Sequence, residues 1–289
     1  MMKQAPPSAK KNDQKIQGLL RKSTFEPPEL NELVDEVFYI TQGGPFNVRA
    51  LADRLKEDVA LTGRILRICR LPYYSGTTTI RSMAQAIQRL GPSGFRSVVM
   101  QAFLDMSVYS SEQWGRELEQ LKVYSLIVAH ISRIISRYST VQADTVFLCA
   151  LLHRIGFSVG LNKLTSKEDG LDEVWHALEM SHTIFGRMVL VEWGIQEDVQ
   201  NVVANYGQLV INGEVNHLSA TILVAEEIAR RFKFNIYQSK FARKEQLGKK
   251  MNDNTTHAIE VLELDEEMLQ NIYRDSHFVL SQGLRLHIS

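Results

Sequence analysis

The 289-residue sequence lacks most features that would point directly to a chemistry. It holds only two cysteines, Cys69 and Cys149, too few for a disulfide framework and too far apart for a zinc site of cysteines. It contains no P-loop, no G-x-G-x-x-G, no G-x-S-x-G and no C-x-x-C motif. Both cysteines sit in apolar helical patterns, so we expect reduced core residues.

An excess of one charge is also lacking, since 33 basic and 33 acidic residues give a formal net charge of zero. A dedicated nucleic-acid-binding protein usually carries a clear basic excess, so that class is disfavoured. No apolar run approaches the roughly 18–20 residues that span a bilayer, and the N-terminus has no apolar stretch typical of a signal peptide. These absences, with 44% hydrophobic residues, predict a cytoplasmic globular protein without a membrane partner.

Basic residues are concentrated at two places in the chain. Residues 1–24 contain six Lys and Arg side chains against Asp13 alone, and we expect a disordered basic tail there. The segment KFARKEQLGKK forms a second basic patch. Together with Tyr73 and Tyr74 it gives a candidate interaction surface, whose basic members are Lys240, Arg243, Lys244, Lys249 and Lys250. An ordinary connection and a solvated loop are the competing interpretations.

Apolar residues recur at helical spacing almost throughout the chain from residue 29 onward. The clearest amphipathic pattern comprises Leu121, Tyr124, Val128, Ile131 and Ile135. No convincing period-two run of strand length appears, so the sequence predicts an all-α fold.

Individual helix boundaries follow from cap and breaker residues. Asn47, Asp58 and Asp265 are expected N-caps, and Gly91 followed by Pro92 is an expected helix end. Apolar spacing also predicts a buried helix over 143–155, another over 93–108 and a single long helix over 174–191.

Two histidines are the first candidates for a site. His153 shares a helical face with Val146, Cys149 and Ala150, and His182 follows an apolar stripe, so both are expected to point inward. Two inward histidines on neighbouring helices could bind a metal. The alternative is that each is a neutral core histidine with one hydrogen bond.

Several motifs resemble those of the HDOD domain, the HD-related output domain of bacterial signalling proteins. The segment 80–104 is similar to its signature I-x-S-x-x-x-A-I-x-x-L-G, with matches at Ile80, Ser82, Ala86, Ile87, Leu90 and Gly91. Leu51, Ala52, Asp58 and Leu61 match the preceding helices, while Val59 replaces the usual proline and Arg70-Leu71 the usual N-S. ALLHRIG and SHTIFGRMVLVEWGI resemble later family motifs. The resemblance covers about residues 29–282.

The resemblance implies two packed helical subdomains, an N-terminal one over 25–110 and an HD-like one over 111–289. Related HD-type enzymes bind metals through histidines and aspartates. Carried over by motif, the corresponding vestigial metal-site positions here are Tyr124, His153, Arg154, His182, Asn205, Tyr206 and Glu226. Only His153, His182 and Glu226 keep a side chain that could be a ligand.

Arg154 is the substitution that argues most strongly against a metal. The resemblance implies that it stands where HD-type enzymes carry the aspartate of the His-Asp pair, so it replaces attraction of a metal ion by repulsion. At about 4 Å and an effective dielectric near 20, a unit positive charge opposes a divalent ion by roughly 8 kcal/mol. We therefore expect no catalytic residues, no metal and no cofactor.

The resemblance then predicts a non-catalytic output or scaffold module that acts by contact with signalling proteins. Two alternatives remain open. One is a residual metal-dependent phosphohydrolase that uses His153 and His182. The other is a sensor that binds a small nucleotide or cyclic dinucleotide without cleaving it.

Overall fold

In the computed structural model, the described residues are 25–43, 46–71, 74, 80–164, 170–234 and 253–283. They form helices and one short hairpin, which confirms the predicted all-α fold. The predicted tail over 1–24, Tyr73, and the basic residues of the KFARKEQLGKK segment lie outside the described residues.

Two of the first four helices of the chain begin at predicted caps. The four are α1 (Glu32–Thr41), α2 (Val48–Leu55), α3 (Val59–Cys69) and α4 (Met83–Phe103), followed by a π-helical turn over Leu104–Val108. The side chain of Asn47 accepts from the first turn of α2, and that of Asp58 from the first turn of α3. Gly91, at a φ of 66°, interrupts α4 before Pro92 as predicted, and helix resumes at once.

The second part of the chain begins with a long helix, α5 (Gly115–Ile135). A 3-10 turn (Ser136–Tyr138) follows, then α6 (Ala143–Leu152), α7 (Ile155–Leu164), α8 (Leu171–Glu179), α9 (His182–Glu192), α10 (Glu197–Ala204), β1 (Val210–Ile211), β2 (Glu214–Val215), α11 (His217–Arg231), α12 (Asp253–Val261) and α13 (Glu266–Gly283). All five residues of the amphipathic pattern in α5 are buried, as predicted. Asp265 accepts from the backbone of Met268 at 2.7 Å and so caps α13.

Three predicted helices were wrong in extent. The expected helix over 174–191 is broken between α8 and α9 because His182 turns back and donates to the carbonyls of Leu178 and Glu179. Ser181 also donates to the carbonyl of Ala177 at 2.9 Å. These side chains bond to carbonyls in the last turn of α8, where the helix ends. The helix expected over 143–155 ends at Leu152, and the one over 93–108 gives way to the π-helical turn.

One short hairpin was missed by the sequence interpretation. Val210 pairs with Val215 and Ile211 with Glu214 in antiparallel register. Asn212 and Gly213 turn the chain with φ values of 53° and 84°. This is the Asn-Gly signal of a two-residue hairpin, and it was present in the sequence.

Buried apolar side chains form a single cluster that runs from Phe25 to Leu280. It contains residues from both predicted subdomains, so the division at 110/111 stays a prediction. Cys69 and Cys149 are free and buried in this core, as expected. The stretch Ala143–Asn162 is long and apolar enough to cross a membrane by composition, but 83% of its most apolar window is buried inside the fold.

Small residues bring α7 and α9 unusually close together. A Cβ atom added to Gly156 would lie 1.8 Å from the carbonyl oxygen of His182 and 2.7 Å from the backbone nitrogen of Gly186. One added to Gly186 would lie 2.7 Å from a methyl group of Val203 on α10. The absence of side chains at these two positions therefore sets the beginning of α9 directly against the turn that carries His153 and Arg154.

Candidate functional site

Five parts of the fold bring polar side chains to one buried place. Tyr124 comes from α5, His153 and Arg154 from the α6–α7 turn, His182 from the start of α9, Tyr206 from the segment after α10, and Glu226 from α11. We call this set of six residues the polar centre. The structure thus brings together six of the seven positions carried over by motif. The seventh, Asn205, directs its side-chain amide to the carbonyl of Asn201 at 2.9 Å.

Glu226 is the acceptor that connects the polar centre. Its Oε1 atom lies 2.9 Å from Nη2 of Arg154 and 3.3 Å from Nε2 of His153. The hydroxyl of Tyr124 donates to the same oxygen at 3.0 Å, and that of Tyr206 donates to Oε2 at 2.6 Å. Side chains from three separate segments therefore converge on one carboxylate.

Arg154 stays inside the polar centre instead of turning to solvent. Its side chain is 12% exposed, and Nη2 also donates to the Tyr206 hydroxyl at 2.6 Å. The guanidinium carbon lies 4.8 Å from the ring centre of Tyr206, 5.6 Å from that of Tyr124 and 5.7 Å from that of Phe157. These rings support the cation by cation–π interactions. The arginine is thus held by both charge and packing.

The electrostatics favour an ionised carboxylate among neutral phenols. Burial alone would raise the pKa of Glu226, but Arg154 and hydrogen bonds from His153 and Tyr206 hold it well below its ordinary value. Burial raises the pKa of Tyr124 and of Tyr206 far above the usual range, and the neighbouring Glu226 adds to the shift. Both phenols therefore remain proton donors at neutral pH.

The two histidines have different surroundings. The ring nitrogens of His153 face two acceptors, the Ala150 carbonyl at Nδ1 and the Glu226 carboxylate at Nε2. His182 donates from Nδ1 to the Leu178 carbonyl at 3.1 Å, and its ring stacks on Phe157 at 4.3 Å. Burial, and then the charge of Arg154, lower the pKa of His182 to about 3. His182 is therefore neutral, and its Nε2 has no hydrogen-bond partner among the described residues.

These residues do not fit a metal centre. Across the described part of the chain, no three His, Cys, Asp or Glu side chains are grouped so that they could hold a metal ion. Glu226, the one carboxylate of the polar centre, is paired with Arg154. The cationic arginine therefore takes the position next to the carboxylate that a metal ion would need.

The predicted interaction surface is corrected at Tyr74. Tyr74 was a candidate for that surface as part of a polar, aromatic loop, but its side chain is only 4% exposed. Its ring lies 6.2 Å from the ring of His130 and 6.0 Å from the guanidinium carbon of Arg133. Tyr74 is a core residue because its aromatic ring is more stable in these contacts than in water.

Two groups of contacts around the site were missed from the sequence. The ring of Phe157 stacks on the ring of His182. Phe157 lies one helical turn after His153, and this spacing could have identified it from the sequence. The second group joins the start of the described chain to α9. Trp193 Nε1 donates to the carbonyl of Pro28 at 2.7 Å, and the rings of Phe25 and Phe185 lie 5.0 Å apart.

Comparison with known proteins gives the class of this fold and site. The HDOD domain family model matches residues 28–209, more than half of the chain. The chain therefore belongs to the HDOD domain family, and the resemblance seen in its motifs is confirmed. No curated protein sequence matches it significantly.

Solved structures show the same fold at low sequence identity. An HDOD domain protein of unknown function from Geobacter sulfurreducens is 18% identical, with a TM-score of 0.62 over 91% of this chain and 97% of that one. A protein from Shewanella amazonensis, provisionally named a metal-dependent phosphohydrolase, is 18% identical, with a TM-score of 0.71 over 94% and 98%. One from Marinobacter aquaeolei, provisionally named a signal transduction protein, is 14% identical, with a TM-score of 0.67 over 97% and 66%.

Proposed function

We propose that this HDOD protein is a non-catalytic output or scaffold module of bacterial signal transduction that acts in the cytoplasm through contact with partner proteins. The observation that carries the proposal is the position of Arg154. Its guanidinium lies 2.9 Å from Glu226 and is buried among aromatic rings. A hydrolytic centre usually needs about three good protein ligands and an activated water. Here a protein cation pairs with the carboxylate instead.

The polar centre has a structural role under this proposal. Glu226 joins α11 to the α6–α7 turn through Arg154 and to α5 through Tyr124. A fixed internal ion pair with these hydrogen bonds holds the helices in one arrangement. Such a centre suits a scaffold that must present a constant surface. Its positive charge belongs to a side chain of the protein, so these helices are joined without a bound metal ion. The name given to the Marinobacter relative supports a signalling role.

The residual phosphohydrolase is tested by metal content and turnover. We expect purified protein to contain no stoichiometric Fe, Mn, Zn or Ni, and to hydrolyse neither a chromogenic phosphodiester nor a cyclic dinucleotide. His153→Ala should leave that background unchanged. One equivalent of metal, together with hydrolysis that His153→Ala abolishes, would overturn the non-catalytic proposal.

The scaffold role itself is tested by partner capture. Affinity-tagged protein is cross-linked in its native cells, and the captured proteins are identified by mass spectrometry. We expect a small reproducible set of signalling proteins. Failure to enrich any protein over a tag-only control would count against the proposal.

The nucleotide sensor has less support from the electrostatics. A buried phosphate requires net positive charge. Glu226 offsets the charge of Arg154 within the polar centre, and burial and Arg154 lower the pKa of His182, which is therefore neutral. Thermal-shift screening with nucleotides and cyclic dinucleotides should consequently give no stabilisation. A concentration-dependent rise in melting temperature would favour the sensor instead.

A further inference from the structure

Residues 25–30 lie across α9 as a short extended segment, which we call the strap. The strap has no helix or strand of its own. Phe25 is 6% exposed and packs on Phe185, with the ring centres 5.0 Å apart. Directly after the end of α9, the indole nitrogen of Trp193 donates to the carbonyl of Pro28 at 2.7 Å. An aromatic side chain and a proline carbonyl are therefore the two anchors of the strap.

The receiving surface is an aromatic groove formed by Phe185 of α9 and Trp193, the residue directly after α9. Trp193 is 2% exposed, and its ring also meets Phe103 of α4 edge-on at 5.4 Å. The position of α9 is fixed on the side that faces α7 and α10, because Gly156 and Gly186 allow these helices to pack closely. The close packing of α9 does not depend on the strap, so the groove should keep its shape when the strap leaves.

The chemistry of these two anchors is that of proline-peptide recognition. The strap reads Phe25-Glu26-Pro27-Pro28. Two successive prolines restrict a peptide to extended conformations, so little entropy is lost when it binds. Aromatic grooves commonly bind such peptides, and here an indole N–H also donates to a proline carbonyl. The strap therefore contacts the groove in the way that a bound proline peptide would.

Apart from Phe25, the strap is less buried than the helix it contacts. Glu26 and Glu29 are exposed, and Pro27, Pro28 and Leu30 are only partly buried. Its specific anchors in the groove are one ring contact and one hydrogen bond. A competing segment with the same two anchors replaces what is lost when the strap leaves.

We propose that the aromatic groove is a docking site for an extended partner peptide carrying an aromatic residue followed within three positions by two prolines, and that the strap occupies this site in cis as an autoinhibitor. This inference rests on the proposed function in one respect, that the protein acts through protein contacts. It adds the place of contact and the kind of partner segment.

Competition between strap and peptide provides the test. A fluorescent peptide with the sequence of residues 24–31, TFEPPELN, is titrated by anisotropy against three full-length proteins. Wild type should bind it weakly. Phe25→Ala, which removes the aromatic anchor of the strap, should bind at least tenfold more tightly. Phe25→Ala combined with Trp193→Phe should lose at least tenfold again, because phenylalanine keeps a ring but lacks the N–H donor.

Two controls separate recognition from damage. A peptide with alanine in place of its phenylalanine should bind at least tenfold more weakly to the Phe25→Ala protein. If Phe25→Ala does not fold by circular dichroism, Pro27→Gly combined with Pro28→Gly loosens the strap without removing a buried ring, and it is used in its place. No binding of TFEPPELN by a folded strap variant at millimolar peptide would overturn the inference.

Failure of the docking site can be distinguished from failure of the proposed scaffold role. Trp193→Phe should reduce the capture of partners from native cells. A specific set of partners captured equally by wild type and Trp193→Phe would overturn the docking site while supporting the scaffold role. Tight peptide binding with no captured partner would support the groove and count against the scaffold role.

Discussion

Arg154 and Glu226 form a buried ion pair that joins the α6–α7 turn to α11. The Nη2 and Oε1 atoms lie 2.9 Å apart, and each side chain is 12% exposed. The resemblance to HD-type enzymes places Arg154 where those enzymes carry a metal-binding aspartate. Here the arginine carries the positive charge itself, so the helices around Glu226 are joined by a side chain of the protein.

We predict that Glu226→Gln strongly destabilises the fold. The change leaves the Arg154 guanidinium buried without a counter-charge, and breaking one partner of a buried pair typically costs about 3–5 kcal/mol. Urea unfolding followed by circular dichroism measures the change in the free energy of unfolding.

Glu227 provides the matched control on the same helix. It pairs with Arg230 at 2.7 Å and Arg231 at 3.0 Å, and these arginine side chains are 57% and 51% exposed. The Glu227 side chain is itself only 10% exposed, but its exposed arginine partners stay hydrated when its charge is removed. Glu227→Gln should therefore cost less than about 1 kcal/mol. Equal losses in the two variants would contradict the importance assigned to the Arg154–Glu226 pair.

A second prediction concerns the close contact of α7 with α9. Gly156→Ala places a Cβ atom 1.8 Å from the carbonyl oxygen of His182, which forces the backbones apart. We expect a loss of about 3 kcal/mol or more in the free energy of unfolding, at the upper end of overpacking effects. Thermal and urea unfolding of the purified variant measure it.

Gly63 on α3 is the control for that substitution. A Cβ atom there meets nothing within 4 Å. Alanine should therefore stabilise the helix by about 0.5–1 kcal/mol, since glycine is the poorer helix former. Destabilisation by Gly63→Ala, or tolerance of Gly156→Ala, would contradict the close packing of α7 on α9.

Much of the polar centre was predictable from the sequence, but its surroundings were not. His153 and His182 were expected inside because they follow apolar helical faces, and motif resemblance added Glu226. The break between α8 and α9 left no such trace, since apolar spacing continues across it and neither Pro nor Gly interrupts it. It depends on the ring of His182 turning back to two carbonyls.

The strap could not be predicted because its contacts have no local pattern. Trp193 and Pro28 are 165 positions apart, and their hydrogen bond depends on where the whole fold places α9. The hairpin is the opposite case. Asn212 and Gly213 are a strong local turn signal. The strands on either side are only two residues long, too short to show the alternation that predicts a strand.

The two cysteines should be unreactive in the native protein. Burial raises the pKa of Cys69 to about 12 and raises that of Cys149 further. The thiolate is the reactive form, so alkylation by iodoacetamide at pH 8 should be negligible when folded and complete in denaturant. Mass spectrometry of both samples measures this, and modification of the folded protein at either residue would contradict the burial.

Mild acid should destabilise the protein through His182. Its ordinary pKa is 6.5, whereas burial and Arg154 lower it to about 3 in the fold. The unfolded chain therefore takes up the proton first, so stability is complete above pH 6.5 and declines as the pH falls toward 3. The decline from this residue is about 2 kcal/mol between pH 7 and pH 5. Glu226, whose pKa is lowered from 4.5 by Arg154 against the opposing effect of burial, adds its loss of stability only at lower pH.

Urea unfolding across this pH range measures the slope of stability against pH. His182→Gln should flatten it, while His257→Gln, at an exposed histidine of α12, should not. An unchanged slope in His182→Gln would show that another group takes up the proton.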